Sequence, residues 1–267
     1  RRHAGREPNS PLNQQMNQQS DQKPMAEAAF PPERAATRVA RQIVSEIQTQ
    51  GLRPGAKLDP EHIMIQKFGV ARATIREALR FLELQGALRI KAGPGGGPVV
   101  SIPDIDHLTS AISLQLQFAN ATVESVLDAR ISIYPVLVAE AAQNASHQDI
   151  AALHQCVQRL QAATEDSSET TREARLFYET VAAASKNLVL GFFVNALHRM
   201  SDSSGVEYDL ENRKANVRNS KRLLQAIEAG DADKAHSIST RMHTAGKRYW
   251  EKHAPHLLDT PVSWVAK

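Results

Sequence analysis

The chain has 267 residues, with 32 Lys and Arg against 29 Asp and Glu, and a single cysteine. That length suffices for two domains with their own cores, and the lone Cys156 excludes an intrachain disulfide framework and fits a reducing cytoplasm. No run approaches the roughly 20 consecutive apolar residues of a membrane-spanning helix, so a soluble protein with no membrane partner is expected.

Residues 1–30 are rich in Gln, Asn, Ser and Pro and poor in aliphatics. Such a segment buries too little to offset its ordering entropy, so a disordered extension is expected. The alternative is a basic arm on DNA through Arg1, Arg2 and Arg6. Met25 is a candidate original start. The segment lacks the apolar run of a secretory signal. A helix is expected over Ala35–Gln50, before the richest stretch of the chain at residues 56–101.

There Asp59-Pro60-Glu61 reads as a helix start: Asp59 as cap, Pro60 in the first turn, Glu61 at the positive end. The helix buries Ile63, Met64 and Phe68 and stops at Gly69, with Val70 packed inside the turn. A second helix carries Ile75, Ala78, Leu79, Leu82 and Leu84 on its buried face, at three- and four-residue spacing, and Gly86 ends it. Arg72, Thr74, Arg76 and Arg80 lie on the other face, where they can meet phosphates as charges and guanine edges as planar forks. Leu88–Lys91 and Pro98–Ser101 then form a ribbon with a glycine-rich tip. Without a preceding strand and a following helix, that tip is not a phosphate-binding loop. Helix, tight turn, second helix and ribbon make a winged helix-turn-helix.

Charge supports this reading. Residues 31–101 carry 11 Lys and Arg against 6 Asp and Glu, whereas residues 102–267 carry 17 against 20. Positive charge concentrates where counterion release from DNA would need it.

The stretch resembles the reader domain of the GntR family of bacterial transcription regulators. The residues that carry the resemblance are Leu58, Glu61, Gly69, Val70, Arg72, Thr74, Arg76, Glu77, Ala78, Leu79, Leu82, Gly86 and the glycine-rich wing. It implies double-stranded DNA as partner, with Arg72 and Arg76 carrying most of the contact and Thr74, Arg80, His62, Lys91, Gly95 and Gly96 positioning the backbone. Three departures stand out. Asp59-Pro60 inverts the usual Pro-Ser order, His62 replaces an arginine that often contacts DNA, and Ala71 replaces a serine cap worth about 1 kcal/mol.

From Pro103 onward the pattern is helical, with helices expected at 105–118, 122–143, 147–165, 169–185, 188–202, 206–229 and 231–253. Asp104, Thr122, Ser146, Ser168 and Asp231 are the candidate caps, and Gly205 and Gly230 the candidate stops. No convincing period-2 stretch follows residue 101. The fold expected is mainly α: a winged helix-turn-helix at 31–101, a linker at 102–106, an antiparallel bundle of six or seven helices at 107–256 and a tail at 257–267.

The second part resembles the effector domain of the FadR branch of the same family, most clearly over EARLFYETVAAASKNLVLGFFVNAL and LLQAIEAGDADKA. Many such domains hold a metal through one Asp and three His. Here those positions fall on Ala174, Tyr178, Ser220 and Met242, with His243 one residue off and turned roughly 100° round the helix. No metal and no cofactor is therefore expected; the alternative is a metal-dependent sensor using a shifted His243. The resemblance makes Arg130, Tyr134, Tyr178, His198, Asn216, Ser220, Met242 and His243 candidate effector residues. Arg130 either pairs with a ligand carboxylate or phosphate or only with Asp128 or Glu124. Tyr178 reaches either a ligand or backbone, and Asn187 is expected to cap the helix after it. The lost metal ligands favour a partly apolar acid, such as an acyl thioester, over a small hydroxy acid.

His107, His147, His154, His236, His253 and His256 show no ligand spacing. No nucleophile–base pair or convergent carboxylate pair appears, so an enzyme is not expected. The resemblance as a whole implies a cytoplasmic homodimer, most often a repressor, on a pseudo-palindromic operator.

Overall fold

The computed structural model describes residues 34–93, 95–203 and 205–266. The basic arm, Met25 and the expected disordered extension lie outside the described residues. The chain divides into two compact units, one of residues 34–83 and 90–100, the other of residues 84–89 and 101–266.

The amino-terminal part carries α1 (Ala35–Thr49), α2 (Glu61–Phe68), α3 (Arg72–Leu84) and the antiparallel ribbon of β1 (Leu88–Lys91) and β2 (Gly97–Val100); all of it but Leu84 and the first two residues of β1 falls in the first unit. Val39, Ala40 and Ile43 of α1, Met64 of α2 and Ile75, Ala78, Leu79 and Leu82 of α3 are buried. Burial of each large aliphatic side chain contributes about 1.5–3 kcal/mol. Gly69 ends α2 in the left-handed region at φ 63°, which permits the sharp turn into α3. Lys57 pairs with Val99 in a single antiparallel bridge that extends the ribbon on its β2 side.

Three expectations for this part need correction. Leu84 is 68% exposed, because two residues beyond Leu82 is a rotation of roughly 200°. Ile63 is 38% exposed, since only Met64 of that neighbouring pair can face the core from a two-turn helix. Asp59 does not cap α2, which starts from Pro60 without a side-chain cap; the carboxylate takes Lys67 at 3.2 Å instead.

The second unit comprises α4 (Ile105–Phe118), α5 (Val123–Asn144), α6 (His147–Ala162), α7 (Ser167–Ala184), α8 (Leu188–Asp202), α9 (Leu210–Glu228), α10 (Ala232–His253) and the short α11 (Pro255–Leu258). Asp104, Thr122, Ser146 and Asp231 cap their helices as expected, Ser146 with Asp149 in a reciprocal capping box. Ser168 does not. Asp166 caps α7, taking the Glu169 amide at 2.9 Å, while Ser168 donates to that same carboxylate. α9 begins at Leu210 rather than 206, from the Asp209 cap.

α5 packs chiefly on α10 and α8, and α6 on α7. Leu137, Val138, Phe177, Val181, Leu223 and Leu224 are buried among the residues of the main core. Of the segment expected as a tail at 257–267, the described residues 257–266 are instead tied to the bundle. Val123 donates to Thr260 O at 3.0 Å, Val262 to Ala121 O at 2.8 Å, and the Trp264 indole to Ser110 Oγ at 2.9 Å. Val262 is buried with Val126, Ala196 and Met200, so this stretch buries apolar surface that the earlier helices leave open.

Candidate functional site

Two groups of side chains carry chemistry, one in each unit. On α3, burial at 75, 78, 79 and 82 leaves Arg72, Arg76 and Arg80 exposed on the far side, with Thr74 half-buried beside the core. Arg72 is the first residue of α3. A cation there opposes the helix dipole, so its position is not explained by helix stability. Arg72 and Arg80 have no ion pair among the described residues, whereas Arg76 Nε donates to Glu61 Oε2 at 3.1 Å. This pair is solvent-exposed and so contributes little; Nη1 and Nη2 of Arg76 remain for another acceptor.

His62 and Lys91 are exposed. Gly95 O accepts from Lys57 Nζ at 3.0 Å, and Gly96 N donates to Gly93 O at 2.9 Å. A Cβ on Gly96 would meet Lys91 O at 2.2 Å, so glycine is needed there by the wing turn itself. Arg89, exposed on β1, is a further cation that sequence reasoning passed over, although strand alternation about Leu88 would have singled it out.

In the second unit, α5, α7, α8, α9 and α10 enclose a cavity of about 160 Å³. Of the residues expected there, Arg130, Tyr178, His198, Asn216, Met242 and His243 line it. Two do not. Tyr134 is fully buried behind the wall, its ring against those of Tyr178, His198 and His243. Ser220 is fully buried and points at Asn216 Oδ1, 3.5 Å away. Both are one layer too deep. Asn187 caps α8, accepting from Leu190 N at 3.0 Å.

Arg130 pairs with neither Asp128 nor Glu124, because Lys247 takes both, at 2.7 and 2.9 Å. Its Nη1 donates to Ser201 Oγ at 2.6 Å, and its buried Nε has no partner. Burial, with the Arg130 charge as the next cause, pushes His198 well below the usual histidine range and His243 down to about 3. Both are therefore neutral at pH 7. His243 Nδ1 lies 2.9 Å from Ser239 O, so Nδ1 carries the proton and the unpartnered Nε2 is an acceptor. Burial raises Tyr178 to about 12, so its hydroxyl stays protonated; it reaches only Asn216 Oδ1, at a long 3.5 Å.

Sequence reasoning missed Arg175, Asp202, Tyr208, Asn212, Asn219, Lys247 and Trp250 in this lining. The signal for two of them was present: Asn212, Asn216 and Asn219 follow at spacings of four and three, a polar stripe on one face of α9.

The donor set does not fit a metal. Ala174 offers no ligand atom, Met242 offers only a thioether, Ser220 is buried against Asn216 and Tyr178 keeps its proton. No group of three or more His, Cys, Asp or Glu able to hold an ion occurs among the described residues.

Residues 35–97 match the family described as bacterial regulatory proteins, gntR family, and residues 125–245 match the FCD domain. The HTH-type transcriptional regulator LutR of Bacillus subtilis (strain 168) is 24% identical over 149 residues, which is 56% of this chain and 67% of that protein. An uncharacterized HTH-type regulator of the same organism, YcbG, is 25% identical over 206 residues, 75% of this chain and 83% of its own. A solved Streptococcus agalactiae GntR superposes with a TM-score of 0.59 over 80% of this chain and 99% of its own, at 19% identity, and so shows a shared fold. These domains and relatives are transcriptional regulators, not enzymes.

Proposed function

Because this chain belongs to the GntR family of bacterial regulatory proteins and carries an FCD domain, we propose that it is a ligand-controlled repressor, working in the cytoplasm as a homodimer. Arg72 and Arg76 grip a pseudo-palindromic operator, one half-site per copy. Arg80, Thr74, His62, Arg89 and Lys91 position the phosphate backbone. Among the described residues, no helix is long and apolar enough to cross a membrane.

The observation that carries the ligand half of this reading is Arg130. Arg130 is half-buried, and its buried Nε lacks an acceptor, which is costly to keep and which a bound carboxylate would satisfy. Cavities near 160 Å³ hold one molecule of about benzene size. A compact organic acid therefore fits, whereas an acyl thioester would have to leave its carrier outside. Ligand can drive release only if it binds the DNA-free state more tightly than the DNA-bound one.

Fluorescence anisotropy on operator fragments recovered by genomic footprinting tests this. Micromolar organic acid should weaken DNA binding by wild type and leave Arg130→Met unresponsive. Operator affinity unchanged at saturating ligand would rule out derepression.

A further inference from the structure

Three charged residues of the cavity make no direct ion pair among the described residues, although Arg130 and Arg175 act on the Asp202 carboxylate through space. Arg175 on α7 lines the cavity with no hydrogen bond or ion pair among the described residues, and Arg130 has only the neutral Ser201 hydroxyl. Asp202, the last residue of α8, lines the same cavity, half-buried, and its carboxylate likewise has neither hydrogen bond nor ion pair there. The other cations around the cavity are committed elsewhere. Arg213 donates to the backbone oxygens of Thr164, Tyr208 and Glu165, and Lys247 is held by Glu124 and Asp128.

Opposite charges in one partly desolvated space attract strongly, and each is costly to hold alone. Yet these do not close on one another. A simple anion would satisfy the arginines and add its charge to that of Asp202. A simple cation would do the reverse, and a neutral molecule would leave both signs unmatched. A monoanion would balance the net charge of two arginines and one aspartate but leave the Asp202 carboxylate without a donor, whereas a molecule carrying both charges, a few atoms apart, gives each of the three side chains a partner of opposite sign.

We propose that the cavity takes a small zwitterion, an α-amino acid, with its carboxylate on Arg130 and Arg175 and its ammonium group on Asp202. This deepens, and rests on, the reading of the cavity as the effector site. His243, on α10, also lines the cavity and has in Nε2 an acceptor without a partner, a second candidate for the ammonium N–H groups. Leu127, Met242 and Trp250 offer an apolar wall to the amino-acid side chain.

Calorimetry on the full chain tests this with matched probes. L-alanine, L-valine and L-leucine are each titrated alongside the 2-hydroxy acid and the unsubstituted acid of the same skeleton. At least one amino acid should bind at least about tenfold more tightly than both its relatives, because a site built around a donor rejects analogues lacking it. Asp202→Asn should abolish that preference, and Arg130→Met should abolish binding of every probe. Equal or tighter binding by the hydroxy or unsubstituted acids, on all three skeletons, overturns the proposal; so does a preference that survives Asp202→Asn, or silence from every probe. If the plain acids bind, and lose binding in Arg130→Met, the effector-site reading stands while the zwitterion falls. If binding survives Arg130→Met, both fall. The wild-type ranking decides even if a variant fails to fold.

Discussion

The exposed arginines of α3 and the half-buried arginine of the cavity differ in what surrounds them, and the difference separates two ways of using the same side chain. Arg72 and Arg80 stand in water without an ion pair among the described residues, where an unpaired charge costs little and is ready for a phosphate. Arg130 is drawn into the protein, given one neutral hydroxyl, and left with a buried Nε unsatisfied. The first arrangement suits a large polyanion met at the surface, with affinity that falls steeply with salt. The second suits a single small acid whose binding is screened much less.

The largest test of the contrast is the acid response of the cavity unit. Neutral buried His198 and His243 have folded pKa values below the ordinary 6.5, so the unfolded chain binds more protons as pH falls. The stability they contribute is complete above pH 6.5 and is lost as pH falls toward about 3 for His243. Each histidine should cost roughly 1.4 kcal/mol per pH unit in that window. Thermal melts at about pH 7.5 and 5.5 should therefore differ by roughly 2–3 kcal/mol for the pair, with His243→Gln halving the difference. Asp202 works in the opposite sense, since burial raises its carboxyl above 3.8. A melting temperature that does not fall with acid would mean that the histidines are not buried and neutral.

Next in size is the reader. Arg76→Ala should weaken operator binding by about 1–3 kcal/mol and relax preference at one position if it reads a base. If it meets phosphate, the loss should be uniform across sequences. Binding by gel shift to a scrambled duplex separates the two. A smaller effect, in the other direction, is expected of Glu61→Ala. Freeing Arg76 from an exposed pair of about 0.2–1 kcal/mol should tighten DNA binding at most a few-fold. The smallest effect expected is none: dialysis against a chelator should leave operator affinity and ligand response unchanged, because the four positions where the family resemblance would put metal ligands hold Ala174, Tyr178, Ser220 and Met242. A lost response would favour a metal-dependent sensor.

The reader was legible because local rules act there with little help. The αL glycine at 69, the three- and four-residue spacing through Leu82 and the glycine-rich wing are each read within one turn of chain. Ile63 and Leu84 were misread because apolar character says nothing of rotation about a short helix or past its last contact. The helices of the second unit were visible from their caps, and Asp104, Thr122, Ser146 and Asp231 act as their types suggest. Its depth was not visible. Whether a residue on an inward face reaches the cavity, as Tyr178 does, or stops one layer short, as Tyr134 does, depends on how helices distant in sequence pack. Asp202 carried no local signal, since a helix-terminal acid ordinarily faces water. The segment from 257 looked like a tail because, besides Trp250 of α10, its few apolar residues find their partners on α4, α5 and α8, which lie far off in sequence.

The division of labour is tested most directly by the slope of DNA affinity against salt, measured by anisotropy on one duplex for wild type, Arg72→Ala/Arg76→Ala and Arg130→Met. If both reader arginines meet phosphates, the double variant should bind more weakly with a slope shallower by roughly two counterions, while Arg130→Met overlays wild type. A double variant with unaltered affinity and slope, or an Arg130→Met protein that loses DNA binding without any ligand present, would contradict the account.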